Sequence, residues 1–326
     1  MFNKNKHKKY IPEEDLSKTT PEYRLMSEIL RMISKDKERT SMWGALFRLA
    51  IILYVITVTF IVIGLFQHND MAQSDVPHVA LIELSGTIDA TGKASADKLM
   101  AGLGRAMKEA LVKGVIVRAN SPGGSPVQSA YVNDEITRLR GQYPDKPIYF
   151  VITDMCASGC YYMASAANEI YANKGSIVGS IGVVMNGFGF TGVMEKLGIE
   201  RRMLTAGDSK GMLDPFSPLK QDDVAHTKAM LEVIHEQFIA VVKQGRGEKL
   251  VDDPHLFSGR FWAGEQALEL GLVDGLISSA NLAKLKFDTD NIVNYSVHGS
   301  SFAKVFKRLG AKVSISDVFE ATPVLQ

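Results

Sequence analysis

IYFVITDMCASGCYYMASAA, residues 148–167, is the stretch from which the fold can be read. Its first six residues, IYFVIT at 148–153, form an apolar run of strand length, rich in aromatic and β-branched side chains. Its last five, MASAA at 163–167, read as a small-residue helix. The turn between them sets Ser158 at the start of that helix, where the backbone dipole is positive and small neighbours leave room for a substrate backbone. Taken alone, Ser158 is as simply read as an N-capping serine.

Two similar runs lie upstream, VALIEL at 79–84 and GVIVRA at 114–119, followed by amphipathic helical stretches after Ser95 and Ser125. Repeated βα order implies an α/β fold with a mainly parallel sheet covered on both faces, which places ligands beyond the carboxyl ends of its strands. The loops after Ala119 and Thr153 are therefore where chemistry is expected. In the first loop, Asn120 to Ser125, the adjacent Gly123 and Gly124 carry no side chains and can aim backbone N–H groups at a bound oxygen. A plain tight turn explains that motif equally well. Together the two loops put a nucleophile and an oxyanion hole before one carbonyl, and acyl transfer is the natural reaction class.

A serine nucleophile needs a base. The seven histidines are poor candidates: His7 precedes the long apolar run at 49–66, His68 and His78 follow it closely, His226 and His235 fall on the polar side of a long helical stretch, and His255 and His298 lie in loops or the tail. All seven are expected in solvent. No H-E-x-x-H or other metal cluster occurs. Lys210, within LTAGDSKGMLDPF at 204–216, sits among small and apolar residues, although by position alone it reads as one more solvated lysine.

Lys and Arg total 37 against 36 for Asp and Glu, so no global field would draw nucleic acid. Cys156 and Cys160 are too few for a disulfide framework and lack a zinc pattern. They are expected as small buried thiols, a bridge at helical i,i+4 spacing being strained. LAIILYVITVTFIVIGLF at 49–66 carries no charge and is long enough for one transmembrane helix. The preceding arm is rich in Lys and Arg, whereas only Lys93 is basic between Phe66 and Asp97, which predicts a cytoplasmic amino terminus and an extracytoplasmic domain. Leu25, Met26, Ile29, Leu30 and Ile33 suggest a short amphipathic helix at the membrane surface, with residues 1–20 disordered.

Six motifs then occur in one order: Ser-Pro-Gly-Gly at 121–124, Ala-Ser-Gly-x-Tyr-Tyr at 157–162, Val-Gly-Ser-Ile-Gly-Val at 178–183, Ala-Gly-x-x-Lys at 206–210, Gly-Arg-x-Trp-x-Gly-x-x-Ala at 259–267 and Gly-Leu-Val-Asp at 271–274. As an ordered set the sequence resembles the signal peptide peptidase A family of serine–lysine peptidases, from residue 79 to about 277. The resemblance implies a Clp-protease/crotonase-like fold, Ser158 as acylating nucleophile, Lys210 as general base, and the backbone N–H groups of Gly124 and Gly159 as oxyanion hole. It implies no metal, nucleotide or other cofactor. It also implies a ring-like homo-oligomer, in which one subunit's lysine approaches a neighbour's serine, acting on extended apolar peptides such as signal-peptide remnants or misfolded exported proteins. Cys160 departs from the family, which usually has a second glycine there.

A free lysine amine is protonated at neutral pH, so this chemistry requires Lys210 in a dry pocket of the assembled enzyme, unpaired with Asp208 or Asp214. The expected organisation is a basic cytoplasmic arm at 1–44, a signal anchor at 45–66 in a bacterial-type inner membrane, a linker at 67–78, a peptidase domain at 79–285 and a tail at 286–326 that contacts a neighbouring subunit. Two rival readings are a membrane scaffold that keeps the fold without catalysis, and a crotonase-like acyl-CoA enzyme, which would need a basic CoA pocket.

Overall fold

A computed structural model describes residues 21–68 and 74–297; the side chains of residues 22–24, 31, 33–42, 45 and 62–68 are outside the described set. The expected disorder of 1–20 and the tail beyond 297 also fall outside it. Residues up to Asp70 and those from Met71 onward form two separate units. In the first, α1 (Pro21–His68) is one continuous helix where the sequence suggested two. Its described side chains from Leu49 to Ile61 are exposed. Among the described residues no helix is long and apolar enough to cross a membrane, and the end of the expected span, from Val62, is not covered by that statement.

The second unit is built on one sheet. The runs read as strands become β1 (His78–Ser85), β2 (Val112–Ser121) and β3 (Ile148–Ala157), with α2 (Ala96–Lys108) and α3 (Pro126–Gln142) as their crossovers. After β3 come α4 (Gly159–Ala164), β4 (Glu169–Ala172), β5 (Ile177–Gly179), α5 (Thr191–Lys196), α6 (Gln221–Arg246), β6 (Phe261–Ala263), α7 (Gly264–Glu269), β7 (Gly275–Leu276), α8 (Ser279–Phe287) and β8 (Ile292–Asn294). The order is β6-β5-β3-β2-β1-β8, with β4 beside β3 and β7 beside β4; every pairing is parallel except β5 with β6. This is the mixed α/β, mainly parallel architecture of a Clp-protease-like fold.

Alternation along the strands explains how both faces are covered. Ala80, Ile82 and Leu84 of β1 point to the side where Leu99, Leu103 and Met107 of α2 and Val132, Ile136 and Leu139 of α3 pack. Val79 and Leu81 point to the opposite side, against Leu282 and Ala283 of α8. Side chains such as Ile116, with none of its surface exposed, each contribute about 1.5–3 kcal/mol by leaving water. A one-residue slip in register would turn every one of them to the wrong face.

β3 has two partners in succession. Tyr149, Phe150 and Val151 pair with β4, whereas Met155, Cys156 and Ala157 pair with β5, so its carboxyl end projects past β4 into a second stretch of sheet. At the other edge β8, within the stretch expected to be a tail, pairs with β1 and extends the domain to Tyr295. His78, expected in solvent, is wholly buried: its Nε2 lies 2.9 Å from the Tyr295 hydroxyl and the two rings stack at 5.8 Å. The strand start it occupies is closed over by the chain's return, which the local sequence does not reveal.

Arg246 at the end of α6 is almost wholly buried and anchors that helix. Its guanidinium donates to Asp274 at 2.6 and 3.1 Å and to the Gly271 carbonyl at 2.9 and 2.8 Å. Burial alone would raise the Asp274 carboxyl, but hydrogen bonds from Arg246, Lys249 and the Ile170 amide outweigh it and hold the group below the usual carboxylate range. Its contribution is therefore complete above the unfolded value and lost as pH falls through the lower folded one. Asp274→Asn, which strands a buried guanidinium, should cost about 3 kcal/mol in urea unfolding near neutral pH. The gap between variant and wild type should narrow in acid, below the ordinary carboxylate range.

Candidate active site

Ser158 joins β3 to α4 with φ 53° and ψ −126°, a conformation that costs a non-glycine residue about 1–3 kcal/mol. Its amide donates to the Gly179 carbonyl at 2.8 Å, and its carbonyl accepts the Tyr162 amide at 3.0 Å. The turn presents the serine to a cleft instead of to the helix, and its side chain makes no capping hydrogen bond. The simple N-cap reading therefore does not apply. Ser180, another non-glycine at positive φ (53°), lines the same cleft.

The glycine pair is required by close packing. A Cβ on Gly124 would lie 2.1 Å from the Ile88 carbonyl oxygen, and one on Gly123 would lie 2.8 Å from both the Gly159 nitrogen and the Ser158 Cβ. Ile88 clamps the loop from the far side: its amide donates to Gly123 and its carbonyl accepts from Ser125, each at 2.9 Å. Ser121 Oγ accepts the Gly123 amide at 3.2 Å. The amides of Gly124 and Gly159 have no acceptor among the described residues, and both glycines line the cleft with Ser158. Two unused donors beside one serine hydroxyl are the arrangement an oxyanion requires.

The cleft has a volume of about 710 Å³. Its lining combines the apolar Tyr162, Val183, Val184, Ile234 and Phe238 with the small residues Gly182, Ser258 and Gly259. Residues 142–291 match the model described as Peptidase family S49. Over those residues, a little under half of its length, the chain is similar to S49 peptidases.

Protease 4 of Haemophilus influenzae is 31% identical to this chain over 207 residues, covering 61% of this chain and 33% of that protein. The chloroplastic serine protease SPPA of Arabidopsis thaliana is 27% identical over 244 residues, covering 72% and 36%. A further match, 48% identical over 162 residues, is to the Na(+)/H(+) antiporter NhaA of Brucella melitensis, covering 50% of this chain and 22% of that protein. The chain thus spans about a fifth of the length of that relative.

Lys210 is exposed and does not line the cleft of its own chain. It lies in a turn after α5, on a segment from Val184 to Leu219 whose apolar side chains are largely uncovered: Leu204 is 98% exposed and Phe188 82%. Among the described residues Lys210 has no ion-pair partner. Asp214 is engaged elsewhere, accepting Ser217 Oγ at 2.7 Å and pairing with Arg201 at 3.3 Å, contacts that hold its carboxyl below the usual range.

Two expectations need correction. Cys156 and Cys160 form a disulfide, with Cα atoms 5.1 Å apart. The strain expected at i,i+4 does not arise, because Cys156 ends a strand, Cys160 opens a helix, and the chain reverses between them at Ser158. His235, expected in solvent, is half-buried; it lines the cleft, with Nε2 3.2 Å from the Ile181 carbonyl oxygen. Ile234 and Phe238 of α6 line the same cleft, and His235 lies beside them.

Gly124→Ala combines a forbidden contact with a disfavoured φ of 150°. It should destabilise the domain by more than about 1 kcal/mol. Labelling of Ser158 by a fluorophosphonate should fall further than thermal stability does.

Proposed function

We propose that this protein is a membrane-anchored serine endopeptidase in which Ser158 is acylated by extended apolar peptides, signal-peptide remnants among them, and Lys210 of a neighbouring subunit is the base. The observation that carries the reading is the cleft itself: Ser158 at a helix start, flanked by the unused amides of Gly124 and Gly159 and by apolar lining residues. The S49 match and the protease names of its relatives support the reaction class.

In this mechanism the Ser158 hydroxyl attacks a peptide carbonyl while its proton passes to the neutral Lys210 amine. The tetrahedral oxyanion accepts hydrogen bonds from Gly124 and Gly159, each contributing about 3–4 kcal/mol to the transition state. Lys210 then protonates the leaving amine, and water attacks the acyl-enzyme with the same lysine as base. No metal or cofactor enters the scheme.

Sharing of the dyad between subunits is supported by the uncovered apolar segment that carries Lys210. Packing that segment against a second copy removes its side chains from water and gives the amine the dry setting a base needs. Anchoring rests on the uncharged run at 49–66 and the basic arm before it. The Cys156–Cys160 disulfide suits an oxidising compartment outside the cytoplasm.

Ser158→Ala and Lys210→Ala should each lower kcat/KM by about 10³-fold or more while the protein stays folded. Co-expression of the two inactive variants should restore part of the wild-type activity, because mixed rings contain intact serine–lysine pairs. No recovery from verified mixed rings would exclude a shared dyad.

A further inference from the structure

Ser158 occupies a backbone conformation that its own side chain disfavours, so its surroundings must hold it there. Two restraints are hydrogen bonds, from its amide to Gly179 and to its carbonyl from Tyr162. The third is covalent. Cys156 and Cys160 stand two residues to either side of Ser158, and their disulfide keeps the Cα atoms 5.1 Å apart. Four extended steps of chain would reach about 13 Å, so relaxation of the turn by lengthening is forbidden while the bond exists.

Both ends of the tether are fixed. Cys156 is paired in the sheet with Val178 and Ser121, Cys160 lies in the first turn of α4, and neither residue has exposed surface. The turn they enclose contains the serine and the Gly159 amide, which are the two groups whose aim matters most to acyl transfer. The loop they close spans only five residues, whereas the surrounding core is assembled from strands and helices far apart in sequence. Its effect is therefore concentrated on the turn.

We propose that the Cys156–Cys160 disulfide is a positioning device that locks Ser158 in its left-handed turn and keeps its hydroxyl and the Gly159 amide aimed into the cleft. This rests on Ser158 being the nucleophile. Formation of the bond gives up one proton from each thiol and two electrons to a thiol–disulfide oxidant. Reduction by a dithiol returns both protons and electrons to the cysteines and leaves the dithiol as its own cyclic disulfide.

The test uses the full-length oligomer in detergent. Fluorophosphonate labelling of Ser158, kcat and KM on an apolar peptide, and thermal unfolding are compared for wild type, wild type treated with dithiothreitol, and Cys156→Ala/Cys160→Ala. Removing the tether should slow labelling and kcat about tenfold, as small misalignments of a nucleophile do, with KM little changed. Reoxidation should restore reduced wild type, and the double variant should ignore the dithiol. Labelling and kcat that are indifferent to loss of the bond overturn the proposal alone, as do two free thiols found by alkylating the untreated protein while it is unfolded in denaturant. Loss of activity that only follows unfolding also overturns it, since the bond would then be holding the domain. A wild type never labelled at Ser158 overturns the peptidase reading and this proposal with it.

Discussion

Main chain meets main chain beside Ser158, and the closeness of that contact governs the rest of the site. Ile88, the Gly123–Gly124 pair and the turn at 157–159 approach so tightly that a single methyl group on either glycine would collide with backbone atoms. Backbone cannot move aside as a flexible side chain can, so the three segments fix one another's positions. The two unused amides and the serine hydroxyl inherit that rigidity. Parallel strand order supplies the setting, since it delivers the ends of β2 and β3 to the same edge of the domain.

Packing is uneven along the sequence. Residues from β1 to α4 set Ser158 and the unused amides of Gly124 and Gly159 among buried, tightly packed elements. The segment from Val184 to Leu219, which bears Lys210, has little core of its own and leaves apolar groups uncovered. In the proposed shared dyad the hydroxyl comes from the packed part and the amine from the uncovered one. The peptidase family match starts at residue 142 and so includes Ser158, Gly159 and Lys210, while Gly124 lies outside it.

Local pattern carried much of this into the sequence. Strands and crossovers up to Ala157 were legible because their apolar residues alternate or recur at helical spacing, and Ser158 was legible as a strand-to-helix serine. The need for Gly124 was not, because it comes from Ile88, a residue 36 positions earlier that shares no pattern with it. The disulfide was misread because the spacing of Cys156 and Cys160 was judged as helical, when a sharp reversal lies between them. Polar residues were misjudged for a similar reason. His78 and His235 look solvent-facing from their neighbours in sequence, and only the return of Tyr295 encloses the first and the chain at Ile181 the second. β8 is three residues long and has meaning only against β1.

The pairing of β8 with β1 also has a mechanical side. Because the two strands run parallel and Leu81 faces Asn294, the chain enters this edge at His78 and leaves it alongside Glu83, and the ring contact of His78 with Tyr295 ties the two strands together. A pull between the entering and leaving segments would therefore load the hydrogen bonds of this edge in shear, all of them together, before it reached the strands that hold Ser158.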